Sequence, residues 1–97
     1  MSYVILWTYE VAPEQAEAFR AAYGPDGDWA QLFSRAPGFE SVELHVDGDR
    51  YLTIDRWDSR QAFEAFHRDH GPAYRALDAQ MERLTRSETR LGAFTTA

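Results

Sequence analysis

The chain has 97 residues, with ten arginines, no lysine, no cysteine and a formal charge of −6; this leaves room for a single domain, 1–97, and excludes disulfide staples, thiolate chemistry, lysine Schiff bases and a P-loop. Residues 1–55 carry ten acidic against three basic side chains and residues 56–97 form no basic stripe, so a phosphate backbone is repelled and nucleic acid is not an expected partner. No segment has the pattern of a leader peptide or the length of a membrane span, and the expected location is cytoplasmic, with no membrane partner.

Ser2–Val11, rich in β-branched and aromatic residues, reads as a strand. Tyr3, Ile5, Trp7 and Tyr9 point one way, and Val4, Leu6 and Thr8 the other. A strand covered on one side only should alternate with polar residues, so both faces of this one are expected to be covered. Pro13 opens a helix whose stripe is Ala16, Phe19 and Tyr23, and Gly24-Pro25-Asp26-Gly27 stops it. Asp28 is a candidate cap for a short second helix, Trp29–Arg35. The Asp26-Gly27-Asp28 triplet is not a calcium loop, because no glutamate stands at the twelfth loop position.

Phe39–Asp47 alternates Val42, Leu44 and Val46 against Ser41, Glu43 and His45. Asp47-Gly48 marks a turn into a second arm, Arg50–Trp57. In that arm Leu52 and Ile54 share one face, and Tyr51, Thr53, Asp55 and Trp57 the other. Ser59 caps a helix with Ala62, Phe63, Phe66 and His70 on its buried stripe and His67 at the edge. Gly71-Pro72 ends it and starts another helix, striped by Tyr74, Leu77, Met81 and Leu84. Glu88–Thr95 closes as a strand with Leu91, Ala93 and Thr95 opposed to Arg90, Gly92 and Phe94.

The order is β-α-β-β-α-β with split helices, which predicts an α+β, ferredoxin-like sandwich with a four-stranded antiparallel sheet. Helices cover one sheet face. The apolar second face of the first strand predicts that the sheet packs on the sheet of a second copy, giving a homodimer and a dimeric α/β barrel.

The run Tyr51-Leu52-Thr53-Ile54-Asp55-Arg56-Trp57-Asp58-Ser59-Arg60-Gln61-Ala62-Phe63-Glu64-Ala65-Phe66 resembles the antibiotic biosynthesis monooxygenase (ABM) domain family, in which a strand ending in Trp leads through a capping Ser into an Ala-Phe helix. The apolar opening strand, the Pro-led helix and the closing Glu88…Leu91-Gly92…Phe94 strand fit the same pattern. The resemblance implies a dimeric barrel with a ligand cleft between sheet and helices, and for one branch cofactor-free oxidation of phenolic rings. In the haem-degrading branch the first strand bears Asn, the helix Trp, and a later position His. Trp7, Phe66 and Ala76 stand at the matching places here, so haem is not implied.

On this footing the expected activity is cofactor-independent oxidation of a phenolic or quinol-type aromatic by O₂, with no cofactor and no metal. His70, on the Phe63/Phe66 face, is the candidate base, since histidine titrates near ambient pH. Tyr74 is the candidate donor to a phenolate or quinone oxygen. Trp7, Tyr9, Trp57, Phe63, Phe66 and His67 are the candidate walls of an apolar pocket for a small aromatic ligand. The pair His67 and His70, even with His45, lacks the further ligand that a zinc site requires. Asp55 and Arg56, at the strand exit, read as ordinary salt-bridge residues. Two other readings stay open: a non-catalytic dimeric small-molecule binder, and a non-oxidative barrel enzyme of the lactone isomerase type.

Overall fold

The computed structural model describes residues 1–97. Strand β1 (Tyr3–Glu10) is followed by a 3₁₀ turn (Pro13–Gln15), α1 (Ala16–Tyr23) and α2 (Asp28–Phe33). Then come β2 (Phe39–Asp47), β3 (Arg50–Trp57), α3 (Arg60–Met81), a second 3₁₀ turn (Glu82–Leu84) and β4 (Ser87–Thr95). The strands form one antiparallel sheet in the order β2-β3-β1-β4. This is the expected ferredoxin-like α+β fold, with the helices on one face. None of them is long and apolar enough to cross a membrane.

Register follows from the turn between β2 and β3. Asp47 pairs with Arg50, so the loop is Gly48-Asp49, with Gly48 at φ +62° and Asp49 at negative φ. That sign pattern suits a type II′ hairpin, which asks for glycine first. Pairing then runs from Glu10 opposite Arg50 to Tyr3 opposite Trp57. It sends Ile5, Tyr9, Tyr51, Thr53 and Trp57 toward the helices, all buried.

The space between sheet and helices is filled largely by rings. Phe19 stacks on Tyr23 with centroids 4.2 Å apart. Phe33 meets Phe39, Trp57 and Phe66 at 5.6, 5.6 and 5.2 Å. Burying one such side chain stabilises by about 1.5–3 kcal/mol, and a well-oriented ring pair adds about 0.5–1.5 kcal/mol. Leu84, just before β4, closes the core at 2% exposure.

Ser59 caps α3 as expected, its Oγ accepting a hydrogen bond from the Ala62 N–H at 3.1 Å. Three local expectations are corrected. Gly71-Pro72 does not separate two helices: α3 continues for 22 residues and bends at His70, whose φ −122° and ψ 20° leave the helical basin. Pro72 lacks the N–H that would bond to the Arg68 carbonyl and crowds that carbonyl, while packing on both sides keeps the helix going. Asp28 is not the cap of α2. Gly27 occupies that position and no side chain bonds to the free N–H groups.

The third correction concerns β4. Leu6 pairs with Gly92 but Trp7 pairs with Arg90, so Leu91 is an extra residue, a β-bulge. Gly92 permits it at φ +152°, a conformation that residues with a Cβ rarely adopt. Past the bulge the parity of β4 reverses. Arg90 and Glu88 stand opposite Trp7 and Tyr9, on the helix side, although simple alternation puts them with Phe94 on the other face.

Candidate functional site

Between the sheet and the helices lies a partly open cavity of about 110 Å³. Its floor is buried: Tyr9 from β1, Tyr23 from α1, Trp29 and Phe33 from α2, Val42 from β2 and Thr53 from β3. Trp7, Asp55 and Tyr74 are half-buried in its wall, and Asp78 of α3 and Glu88 of β4 are exposed at its rim. Each strand residue is here because of parity. Trp7, Tyr9, Thr53 and Asp55 lie on the helix-facing side of the sheet, and Glu88 joins them through the bulge.

One polar pair of the floor is satisfied, while the buried Nε1–H of Trp29 has no partner. Tyr9 Oη and Thr53 Oγ1 share a hydrogen bond at 3.2 Å. Outside the cavity, Arg20 Nε donates to Tyr51 Oη at 3.0 Å and its guanidinium lies over the same ring. Burial raises the Tyr9 hydroxyl well above the ordinary phenol range, against the Thr53 hydrogen bond, with Asp55 adding to the rise. Burial also pushes Tyr23 up to about 12. Tyr74 is raised by burial and then by the charges of Asp78 and Glu88. All three phenols therefore keep their protons at neutral pH and can donate hydrogen bonds.

The acids differ from one another. Glu88 is raised by burial and by Asp78 and Glu82. Asp55 is pushed up to about 7 by burial alone, with no hydrogen bond or cation to bring it down. Its expected salt-bridge role does not occur. Arg56 turns to the opposite sheet face, where its Nε donates to Glu43 at 3.0 Å. No arginine or histidine lines the cavity, and no group of three or more acidic or histidine side chains is arranged to hold a metal ion.

The predicted site residues divide into two sets. Trp7, Tyr9 and Tyr74 come together at the cavity. Trp57, Phe63 and Phe66 do not line it. Trp57 and Phe66 are fully enclosed, and Phe63 packs between Tyr3 and Trp57 with centroids at 5.7 and 5.9 Å. The spacing that put Phe66 on the buried face of α3 is correct, but that part of the face is occupied by core. His70 stacks on Phe66 at 5.5 Å, outside the lining. His67 stands behind the wall, edge-on to Tyr74 at 4.7 Å, and burial lowers its pKa.

Tyr23, Trp29, Phe33, Val42, Thr53, Asp55, Asp78 and Glu88 are cavity residues beyond those expected. For Asp55 a signal existed: a carboxylate on the Tyr51/Thr53/Trp57 face, with no basic residue on that face of the strand.

Among solved structures, a single-residue variant of SnoaB, a cofactor-independent oxygenase from Streptomyces nogalater, is 21% identical. The match covers 98% of this chain and 92% of that chain, with a TM-score of 0.77. The monooxygenase of the ActVA-Orf6 gene of Streptomyces coelicolor, in complex with Nanaomycin D, is 20% identical over 99% of this chain and 88% of that one, with a TM-score of 0.75. At these identities the likeness is one of fold. No protein of curated function matches the sequence. The family model described as antibiotic biosynthesis monooxygenase matches residues 2–80, from the start of β1 almost to the end of α3, and the chain belongs to that family.

Proposed function

We propose that the protein is a cofactor-independent monooxygenase that oxidises a small phenolic or quinol-type aromatic with O₂. The observation that carries this reading is the aromatic cavity itself, with protonated tyrosines facing its interior and a raised carboxyl in its wall. Family membership supports an oxygenase. SnoaB is a cofactor-independent oxygenase of the same fold, and the ActVA-Orf6 monooxygenase accommodates Nanaomycin D.

The chemistry asks little of the protein. An electron-rich ring, once deprotonated, gives one electron to O₂. The carbon radical and superoxide combine into a C–O bond, and loss of water from the hydroperoxide leaves a carbonyl. At the reacting carbon, CH₂ and O₂ become C=O and H₂O, and all the electrons come from the substrate. The site must bind the ring, take up a proton, offer donors to the oxygen that gains charge, and exclude water. Trp7 and Tyr9 are the walls and Tyr74 the donor, with His67 packed behind it. This reading gives no role to His70, which stacks on Phe66 and is not among the lining residues. The active form is a homodimer joined through the free sheet faces.

The test is oxygen uptake with a panel of hydroquinones and hydroxynaphthoquinones. Uptake that saturates with substrate, with one atom of ¹⁸O₂ in the product, is the expected result. Binding without uptake would make the protein a ligand-binding module. Conversion without oxygen would make it a non-oxidative barrel enzyme, and either result overturns the oxygenase reading.

A further inference from the structure

Asp55 is a buried carboxyl of the cavity wall that the fold does not use, in the same lining as Trp29, whose buried Nε1–H also has no partner. Thr53, two residues earlier on the same face, is satisfied by Tyr9, and Tyr51 by Arg20. Arg56, next in sequence, is committed to Glu43 on the far side of the sheet. Asp55 has neither a hydrogen-bond donor nor a cation within reach. The titratable groups around it are Tyr9 on β1, Tyr23 on α1, Tyr74 and Asp78 on α3, and Glu88 on β4. None of these is positive; Arg90 on β4, on the same side of the sheet opposite Trp7, acts on Tyr74 but not on Asp55. A carboxylate so placed destabilises the fold unless something else supplies the missing donor.

The space in front of it fits one class of molecule. An apolar cavity of roughly 150 Å³ holds benzene; this one, at about 110 Å³, is smaller but open on one side, so a single flat ring can enter through the opening with part of it, and any further rings, at the mouth. We propose that Asp55 is the catalytic base, accepting the proton of a hydroxyl carried by the ring seated in this cavity. This rests on the oxygenase reading above for its consequence, but not for the contact itself.

In the step, the substrate O–H bond breaks, an Asp55 Oδ–H bond forms, and the negative charge passes to the ring. No electron moves until the ring anion meets O₂, and the proton held by Asp55 leaves in the water released later. Burial places the carboxyl near ambient pH, where a general base is most effective. The Tyr74 hydroxyl, kept protonated, is the donor for the oxyanion that forms, and Arg90 on β4 offsets part of the negative field at Tyr74.

Two measurements separate the assignment from the reading beneath it. In the first, 1-naphthol and 1-methoxynaphthalene are titrated into the wild type and Asp55→Asn, followed by quenching of Trp7 and Trp29 fluorescence. The wild type should prefer the naphthol about tenfold or more at pH 8, and much less at pH 5.5, where Asp55 is protonated. Asp55→Asn should lose both the preference and its pH dependence.

In the second, oxygen uptake is followed against pH. Asp55→Asn should lower kcat/KM by roughly 10²–10⁴-fold and abolish the limb near pH 7. Asp55→Glu should keep more of the rate, and the exposed control Asp69→Asn should keep all of it. A variant Asp55→Asn that retains the preference or the rate overturns the assignment. If the wild type takes up no oxygen but shows the pH-dependent preference, the oxygenase reading fails and Asp55 stands as the group that receives the hydroxyl.

Discussion

Between about pH 4 and pH 7 the native chain holds a proton on Asp55 that the unfolded chain has released, because burial lifts the carboxyl from 3.8 to about 7. Stability falls with pH wherever the native state binds more protons than the unfolded one. The penalty from Asp55 is therefore absent below pH 4, grows through the interval and is constant above pH 7. Asp55→Asn removes it, and the variant should be more stable than the wild type at pH 8 by about 1–3 kcal/mol. For a domain of this size that is a rise of several degrees in Tm. The difference should close as thermal melts are repeated toward pH 4. A variant less stable at pH 8 would mean that Asp55 has a structural partner. A site residue whose removal stabilises the fold is what a preorganised active site predicts.

At the scale of elements, the boundaries of β2 and β3 were legible in the sequence because Asp47-Gly48 fixes a two-residue loop and with it the alternation of both arms. The start of α3 was legible from Ser59. Trp7, Tyr9 and Tyr74 could be placed at a cleft because strand parity and helix spacing are local properties. What could not be read depends on neighbours distant in sequence. Strand parity already keeps Asp55 and Arg56 on opposite faces, but that Arg56 finds its partner in Glu43 depends on the register across the sheet, and whether Phe66 faces cavity or core is decided by Phe33 of α2. The bulge at Leu91 belongs to this class too, since a strand pattern with one extra residue cannot be told from simple alternation until its partner is known.

That bulge is also where β4 is most sensitive. Gly92→Val places a β-branched side chain at φ +152° and sets its Cβ against the Phe94 ring, whose atoms lie 3.1–3.2 Å from that point. The backbone conformation dominates, because Phe94 is exposed and can move. A loss of about 1–3 kcal/mol should appear as a lower urea midpoint. Since Glu88 owes its place at the cavity rim to the bulge, a Gly92 variant that stays folded should also bind a ring less well than the wild type. An unchanged urea midpoint would show that the strand tolerates the side chain without strain.

For the whole molecule the open question is the second face of the sheet. Val4 and Leu6 of β1, Leu52 and Ile54 of β3, and Leu91 and Phe94 of β4 lie on it together; Leu91 and Phe94 are 54% and 55% exposed. The Arg56–Glu43 pair borders them. Four strands about 4.8 Å apart and eight residues long project roughly 500 Å², so two such faces reach the ~1,000 Å² that a specific interface requires before pleating and side chains add to it. Leu6 is the sharpest probe. Its neighbours in the sheet are Ile54 and Gly92, neither able to compensate a charge, whereas Val4 sits beside Arg56, which would pair with an introduced acid. A two-fold contact brings two copies of any substitution to one interface, so Leu6→Asp desolvates two carboxylates together. Sedimentation velocity should therefore find the wild type at twice the 11.2 kDa of the chain, and Leu6→Asp at a single chain mass with its helical circular dichroism retained. A wild type that sediments as a monomer, or a variant that remains a dimer, would place the partner elsewhere. Leu6 points away from the cavity, so an active monomeric variant would show that each chain carries a complete site and would overturn the homodimer as the required active form.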